Sequence, residues 1–249
     1  MYDVGATQAS EEFAQCWVAA GNHLSKISQG PLSWLKNQLT PPFAEHLSFR
    51  MGNQLFFIQL NDVDESISIP GNIEGLYRIA KECKGHPCIM PMLKRGDLWA
   101  PEVGDWGLVD AYTKEIVNPV SLVSDELIEM SDWELHDFGV QVVKNYIQDK
   151  LGIEEISSQG DPMVFPSLWF IRNNKKEWVY LKVARYDDEP PLIENYIDVI
   201  REHCSHLNGE GNYASVGFAH PEQGDGDVMP LYRGHRTAIK FSGLEALKL

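Results

Sequence analysis

The sequence predicts an α+β protein of two lobes, the C-terminal one a mixed sheet flanked by helices. Three observations carry that expectation. Apolar residues recur at helical spacing in some stretches and alternate in others, so both kinds of element are present. A strand–helix–strand order in the second half requires a crossover, which mixes parallel with antiparallel pairing. The 249 residues, 43% apolar and 23% charged, suffice for one large domain or two small ones. The lobe boundary is placed between 125 and 126, giving lobes of 1–125 and 126–249.

In chain order, Phe13, Trp17, Ala20 and Leu24 mark a first helix. Gly30-Pro31 breaks it, and Leu32, Leu35 and Leu39 predict a second short helix ahead of Pro41-Pro42. Residues 47–50 and 54–60 flank Gly52-Asn53 and read as a hairpin. A helix over 72–84, through Ile73, Leu76, Ile79, Ala80 and Cys83, leads to a buried strand over 88–93. Residues 96–125 read as an irregular connector whose Trp99 and Trp106 pack on the core.

The second half is clearer. Ser131 and Glu134 match a capping box, in which each side chain satisfies the other residue's backbone N–H. Leu135, Phe138, Val142 and Tyr146 then share a face, and Gly152 supplies a left-handed stop. Strands over 164–171 and 177–184 are joined by the polar turn 172–176. Pro190-Pro191 opens a helix bearing Ile193, Ile197 and Ile200 that ends at Asn208-Gly209. Strands over 213–219 and 231–241 close the chain, with the loop 220–227 between them; its Asp225-Gly226-Asp227 reads as a polar turn. No internal repeat and no low-complexity tract is visible.

The net charge is −15, which opposes non-specific binding to nucleic acid. Residues 97–161 hold fifteen acidic side chains against Lys114, Lys144 and Lys150. That stretch is either a solvated face or a dock for a basic protein. Arg233, His235, Arg236 and Lys240, with Arg172, Lys175 and Lys176, make either one positive patch or a set of counter-charges to it. Apolar runs such as 168–171 fall far short of the roughly 17 residues of a membrane span, so no membrane partner is expected. The first residues lack a signal-peptide pattern, so a cytoplasmic protein with reduced Cys16, Cys83, Cys88 and Cys204 is expected. Two groups, Cys83-x2-His86-x-Cys88 and His203-Cys204-x-His206, lack the paired spacing of a zinc site and are read as structural. No metal and no cofactor is expected.

From 131 onward the order helix, hairpin, helix, strand resembles the core of the PD-(D/E)XK nuclease-like superfamily, the restriction-endonuclease-like fold. Pro166-Ser167-Leu168-Trp169-Phe170 and Trp178-Val179-Tyr180-Leu181-Lys182 are similar to its two motif strands. The resemblance implies Pro-Asp on the first strand and an acidic-x-Lys triplet on the next. There, two carboxylates hold a divalent ion and the lysine serves the attacking water. Lys182 matches the lysine, but Ser167 and Tyr180 stand at the carboxylate positions. The leading reading is therefore a non-catalytic binding or regulatory protein with a pocket lined by Ser167, Trp178, Tyr180 and Lys182. One alternative is a magnesium- or manganese-dependent nuclease, with Lys182 as catalytic lysine and relocated carboxylates from Glu134, Asp137 or Asp161. The other drops the resemblance for an acidic, immunity-type protein that covers a basic partner.

Overall fold

The computed structural model describes residues 10–28, 32–36, 39, 46–185, 192–224 and 229–248. The chain is an α+β protein that divides into two compact units, Met1–Ile128 and Glu129–Leu249.

In the first unit, helix α1 (Glu11–Ile27) is capped by Ser10, whose Oγ accepts from Phe13 N. The strands are β1 (Ser33–Lys36), β2 (Leu47–Met51), β3 (Gln54–Asp62), β4 (His86–Arg95), β5 (Leu98–Pro101) and β6 (Val109–Asp110). Helix α2 (Ile73–Glu82) connects β3 to β4, and α3 (Pro119–Leu122) follows β6. The sheet order is β1-β2-β3-β4-β5, with β6 on β4. β1, β2 and β3 are antiparallel, whereas β3 and β4 are parallel, as the α2 crossover requires. Phe13, Cys16, Trp17, Ala20 and Leu24 of α1 enter one core with Phe49, Phe56, Ile58, Cys88 and Met90. Leu55 and Phe57, on alternate positions of β3, are buried outside that cluster, and α2 lies against β3 and β4.

Helix α4 (Asp132–Leu151) opens the second unit with the capping box of Ser131 and Glu134 and ends at Gly152 in left-handed conformation. Strands β7 (Ile156–Ser158), β8 (Leu168–Arg172) and β9 (Lys175–Arg185) form an antiparallel meander. A 3₁₀ turn (Ile193–Asn195) and α5 (Ile197–Cys204) lead to β10 (Glu210–Ala219), parallel to β9. β11 (Ala238–Phe241) and β12 (Glu245–Ala246) both pair with β10, so the order is β11-β10-β9-β8-β7. Val179 and Leu181 of β9 pack with α4, and the alternating Trp178 and Tyr180 pack with Ile200 and Cys204 of α5. The sheet is thus sandwiched between the two helices.

Several expectations are corrected. Leu32 and Leu35 do not lie on a helix. Ser33–Lys36 is a strand whose Trp34 pairs with Phe49, because so short a segment gains more from the β2 ladder than from a marginal helix. Residues 98–101, expected within a connector, form β5. The strand expected over 164–171 starts only at Leu168, since Pro166 has no N–H to give a ladder. The last strand loses 231–237 to a bend in which Gly234 takes φ +80°. α5 stops at Cys204 rather than at Asn208-Gly209. The breaks at Gly30-Pro31, Pro41-Pro42 and Pro190-Pro191 and the turn Asp225-Gly226-Asp227 include residues outside the described ones.

Both units follow one topology: helix, three antiparallel strands, crossover helix, then a parallel strand with further strands beyond it. Similar side-chain contacts occur in both units. Gln54 bonds His86 as Glu177 bonds Asn212, and the ring of His46 meets Phe57 as Phe165 meets Tyr180. The buried set Phe13, Cys16, Trp17, Ala20 and Leu24 has the spacing of His136, Gly139, Val140, Val143 and Ile147. The repeat lies in burial and pairing rather than in residue identity, so a scan for like residues does not find it.

Candidate functional site

The sequence motif falls where β8 ends short. The β8–β9 register runs only as far as Leu168 opposite Val179, so residues 180–185 of β9 continue past β8. A cleft of about 180 Å³ borders this overrun. α4 contributes Asp132, Leu135 and His136 to its walls, the loop before β8 contributes Pro162, and β9 contributes Leu181, Lys182, Val183 and Arg185.

Lys182 is half-buried, and its Nζ lies 5.1, 5.5 and 5.0 Å from the ring centroids of Phe165, Tyr180 and Tyr196. Ring faces attract a cation at such distances, more strongly once water is removed. No ion pair of Lys182 exists among the described residues; burial holds its ammonium below the usual lysine range. Burial, reinforced by Lys182's charge, pushes His136 down to about 4, so the ring is neutral at pH 7. Its Nε2 lies 3.3 Å from Ser167 Oγ. Arg185 is tied to Glu129 at 3.0 Å, to Asp132 at 3.5 Å and to the Met130 carbonyl.

The residues expected to line an open pocket are mostly interior. Ser167, Trp178 and Tyr180 are 0%, 2% and 0% exposed. Tyr180 stacks on Phe165 at 4.5 Å, and burial, then the charges of Cys204 and Tyr196, raise its phenol to about 12. Of the four, Lys182 alone reaches the cleft. The pocket of Ser167, Trp178, Tyr180 and Lys182 is therefore corrected: α5 packs over the two aromatic side chains through Ile200 and Cys204.

Relocated carboxylates do not gather at Lys182 either. Glu134 is buried in a two-pronged ion pair with Arg233, Nε–Oε1 2.7 Å and Nη2–Oε2 2.9 Å, and its Oε2 also accepts from Ser131 N. Asp161 forms a turn: its Oδ1 accepts from Met163 N, and its own N–H donates to Gln159 Oε1. Asp137 faces Gly160, where a Cβ would sit 3.0 Å from its Oδ1. Among the described residues, no three His, Cys, Asp or Glu side chains are grouped to hold a metal. His86 bonds Gln54 Oε1 at 2.9 Å, and His203 Nδ1 lies 2.9 Å from the Val199 carbonyl. All four cysteines are buried, and burial raises the thiols of Cys16, Cys88 and Cys204, the last to about 11.

The basic residues do not form one patch. Arg233 is interior, Arg172 holds Glu177, and Lys175 holds Glu210. Trp99, which lies on β5 rather than in a connector, and Trp106 are both buried. Sequence reasoning missed His136, Phe165, Arg185 and Tyr196. Only the odd run of a histidine on an otherwise apolar helix face marked any of them in advance.

No helix among the described residues is long and apolar enough to cross a membrane. A family model described as "Domain of unknown function (DUF8840)" matches residues 133–247, which lie within the second unit. No curated protein matches the chain.

Proposed function

We propose that the chain is a non-catalytic binding or regulatory protein built on a nuclease-like fold and acting in the cytoplasm. The observation that carries this reading is the set of atoms around Lys182. Metal-assisted phosphate hydrolysis needs hard oxygen ligands beside the lysine, to hold an ion that activates water. Here the neighbours of the ammonium are three aromatic rings, and the two metal positions carry the buried hydroxyls of Ser167 and Tyr180.

The order of α4, the β8–β9 hairpin, α5 and a parallel β10 supports the resemblance in topology, while the side chains argue against the chemistry. The net charge of −15 favours a basic protein as macromolecular partner over nucleic acid. Buried cysteines suit a reducing compartment. The test is cleavage of plasmid and single-stranded oligonucleotide with magnesium and with manganese, with Lys182→Ala as control. Cleavage no faster than in buffer is expected. Metal-dependent cleavage that the Lys182→Ala protein lacks defeats the proposal.

A further inference from the structure

We propose that the open edge of β9, over residues 181–185, docks an extended segment of a basic protein as an added strand. This rests on the reading of the chain as a binding protein whose partner is basic.

The backbone supplies the first argument. β8 and β9 pair from Arg172 opposite Lys175 to Leu168 opposite Val179, and the N–H of Ser167 also donates to the Val179 carbonyl. The next residue out along that strand is Pro166, which has no N–H to continue the ladder. β9 nevertheless runs on to Arg185, and on its other side it stays paired with β10 as far as Arg185 opposite Phe218. Val179 turns its carbonyl towards β8, so alternation turns the backbone groups of Leu181, Val183 and Arg185 to the same side. Among the described residues no strand pairs with β9 there, and none of the three has a backbone partner on that side. A row of unpaired backbone groups is a template for another strand. Lysines often blunt such an edge, but Lys182 is turned into its box of rings instead.

The cleft supplies the second argument. Leu181, Lys182, Val183 and Arg185 all border it. Side chains alternate between faces, so consecutive residues share one wall only along the strand's edge. The space of about 180 Å³ therefore lies in the lane that β8 leaves. Leu135, Leu181 and Val183 make its α4 side apolar, and a cavity of roughly 150 Å³ admits a benzene ring, so an aliphatic side chain of the added strand fits. Charge sets the sign of the partner. Glu129 and Asp132 share the single cation Arg185, at 3.0 and 3.5 Å, and the Asp132 side chain is 91% exposed. His136 beside them is neutral at pH 7, and the Lys182 ammonium lies among rings on the α5 face. The rim thus keeps a net negative charge, which a lysine or arginine next to the aliphatic residue neutralises.

The test uses the full chain, labelled for amide NMR, and the end-blocked peptide Lys-Thr-Val-Thr-Val-Thr-Lys. In the free chain the amide protons of Leu181 and Val183 should exchange at least roughly tenfold faster than those of Lys182 and Ala184, which face β10. The peptide is expected to bind saturably, to shift the signals of Leu181, Val183 and Leu135, and to slow exchange at Leu181 and Val183. N-methylation of its valines, or of its threonines, blocks one edge of the added strand at a time. One of these two forms should lose at least roughly tenfold in affinity while the other stays within about threefold of the parent peptide. Glutamate in place of both lysines should cost at least roughly tenfold.

Slow exchange of Leu181 and Val183 in the free chain overturns the inference, as does the absence of saturable binding or a set of shifts confined to other residues. Equal behaviour of the two methylated peptides, or full affinity of the glutamate peptide, overturns it as well. Failure of the non-catalytic reading registers separately, as metal-dependent cleavage, whatever the peptide does.

Discussion

At the scale of single residues, His136 decides most about how the molecule responds to its surroundings. It occupies a core position of α4, 4% exposed, and burial with the nearby Lys182 holds its pKa at about 4 against about 6.5 for a free imidazole. The sign follows from proton binding. Between these values the unfolded chain takes up a proton that the folded ring refuses, so stability falls as pH falls from about 6.5 towards 4. Above 6.5 the ring contributes no pH dependence. A histidine titration by NMR should show the His136 ring neutral at pH 5. The unfolding free energy from urea titrations should drop by an amount on the order of 2–3 kcal/mol between pH 7 and pH 4 through this group. His136→Phe, which copies the first unit's Phe13, should remove that part of the slope. An unchanged slope in the variant would place the acid sensitivity elsewhere. Glu134 and Arg233 stand beside it as a buried pair whose value lies in geometry: one tie joins the first turn of α4 to the chain after β10.

At the scale of elements, the contact between α4 and β9 sets the position of everything at the cleft. Gly139 lets the helix approach so closely that a Cβ there would lie 2.6 Å from Val183 Cγ2, a stiff β-branched side chain. Alanine improves helix propensity by about 1 kcal/mol. Overpacking a core contact costs about 1–3 kcal/mol. The clash is severe enough for the second to win, so Gly139→Ala should lose about 1–2 kcal/mol of stability. The urea midpoint should move to lower concentration with an unchanged slope. Relief of pressure by a Gly139→Ala, Val183→Ala pair would identify this contact as the cause.

At the scale of the whole molecule, each unit has a complete sheet and its own core. Phe13, Trp17, Phe49 and Phe56 belong to one, and Val143, Ile147, Leu168 and Val216 to the other. Two such bodies need not melt together. Calorimetry should resolve two transitions, and Gly139→Ala should lower one of them while leaving the other in place. A single transition lowered as a whole would mean that the units unfold as one cooperative body.

The local features were legible in the sequence because their physics is local. The Ser131–Glu134 cap, the Gly152 stop and the buried face of α4 each depend on residues within a turn or two. The hairpin of β8 and β9 is another such case, with Asn173 and Asn174 both at positive φ in its turn. The shared face of Tyr180 and Lys182 was readable too, since side chains alternate along a strand. Tertiary structure alone decided the rest. Leu32 and Leu35 carry a helical pattern, yet pairing with β2 makes their segment a strand. Trp178 and Tyr180 alternate onto the same face as Lys182, but only the seating of α5 determines that they are covered while the lysine is not. The box of Phe165, Tyr180 and Tyr196 joins residues far apart in the chain. The twofold use of one topology stayed hidden for the same reason: packing selects apolar volume and alternation, and these leave residue identity free to diverge.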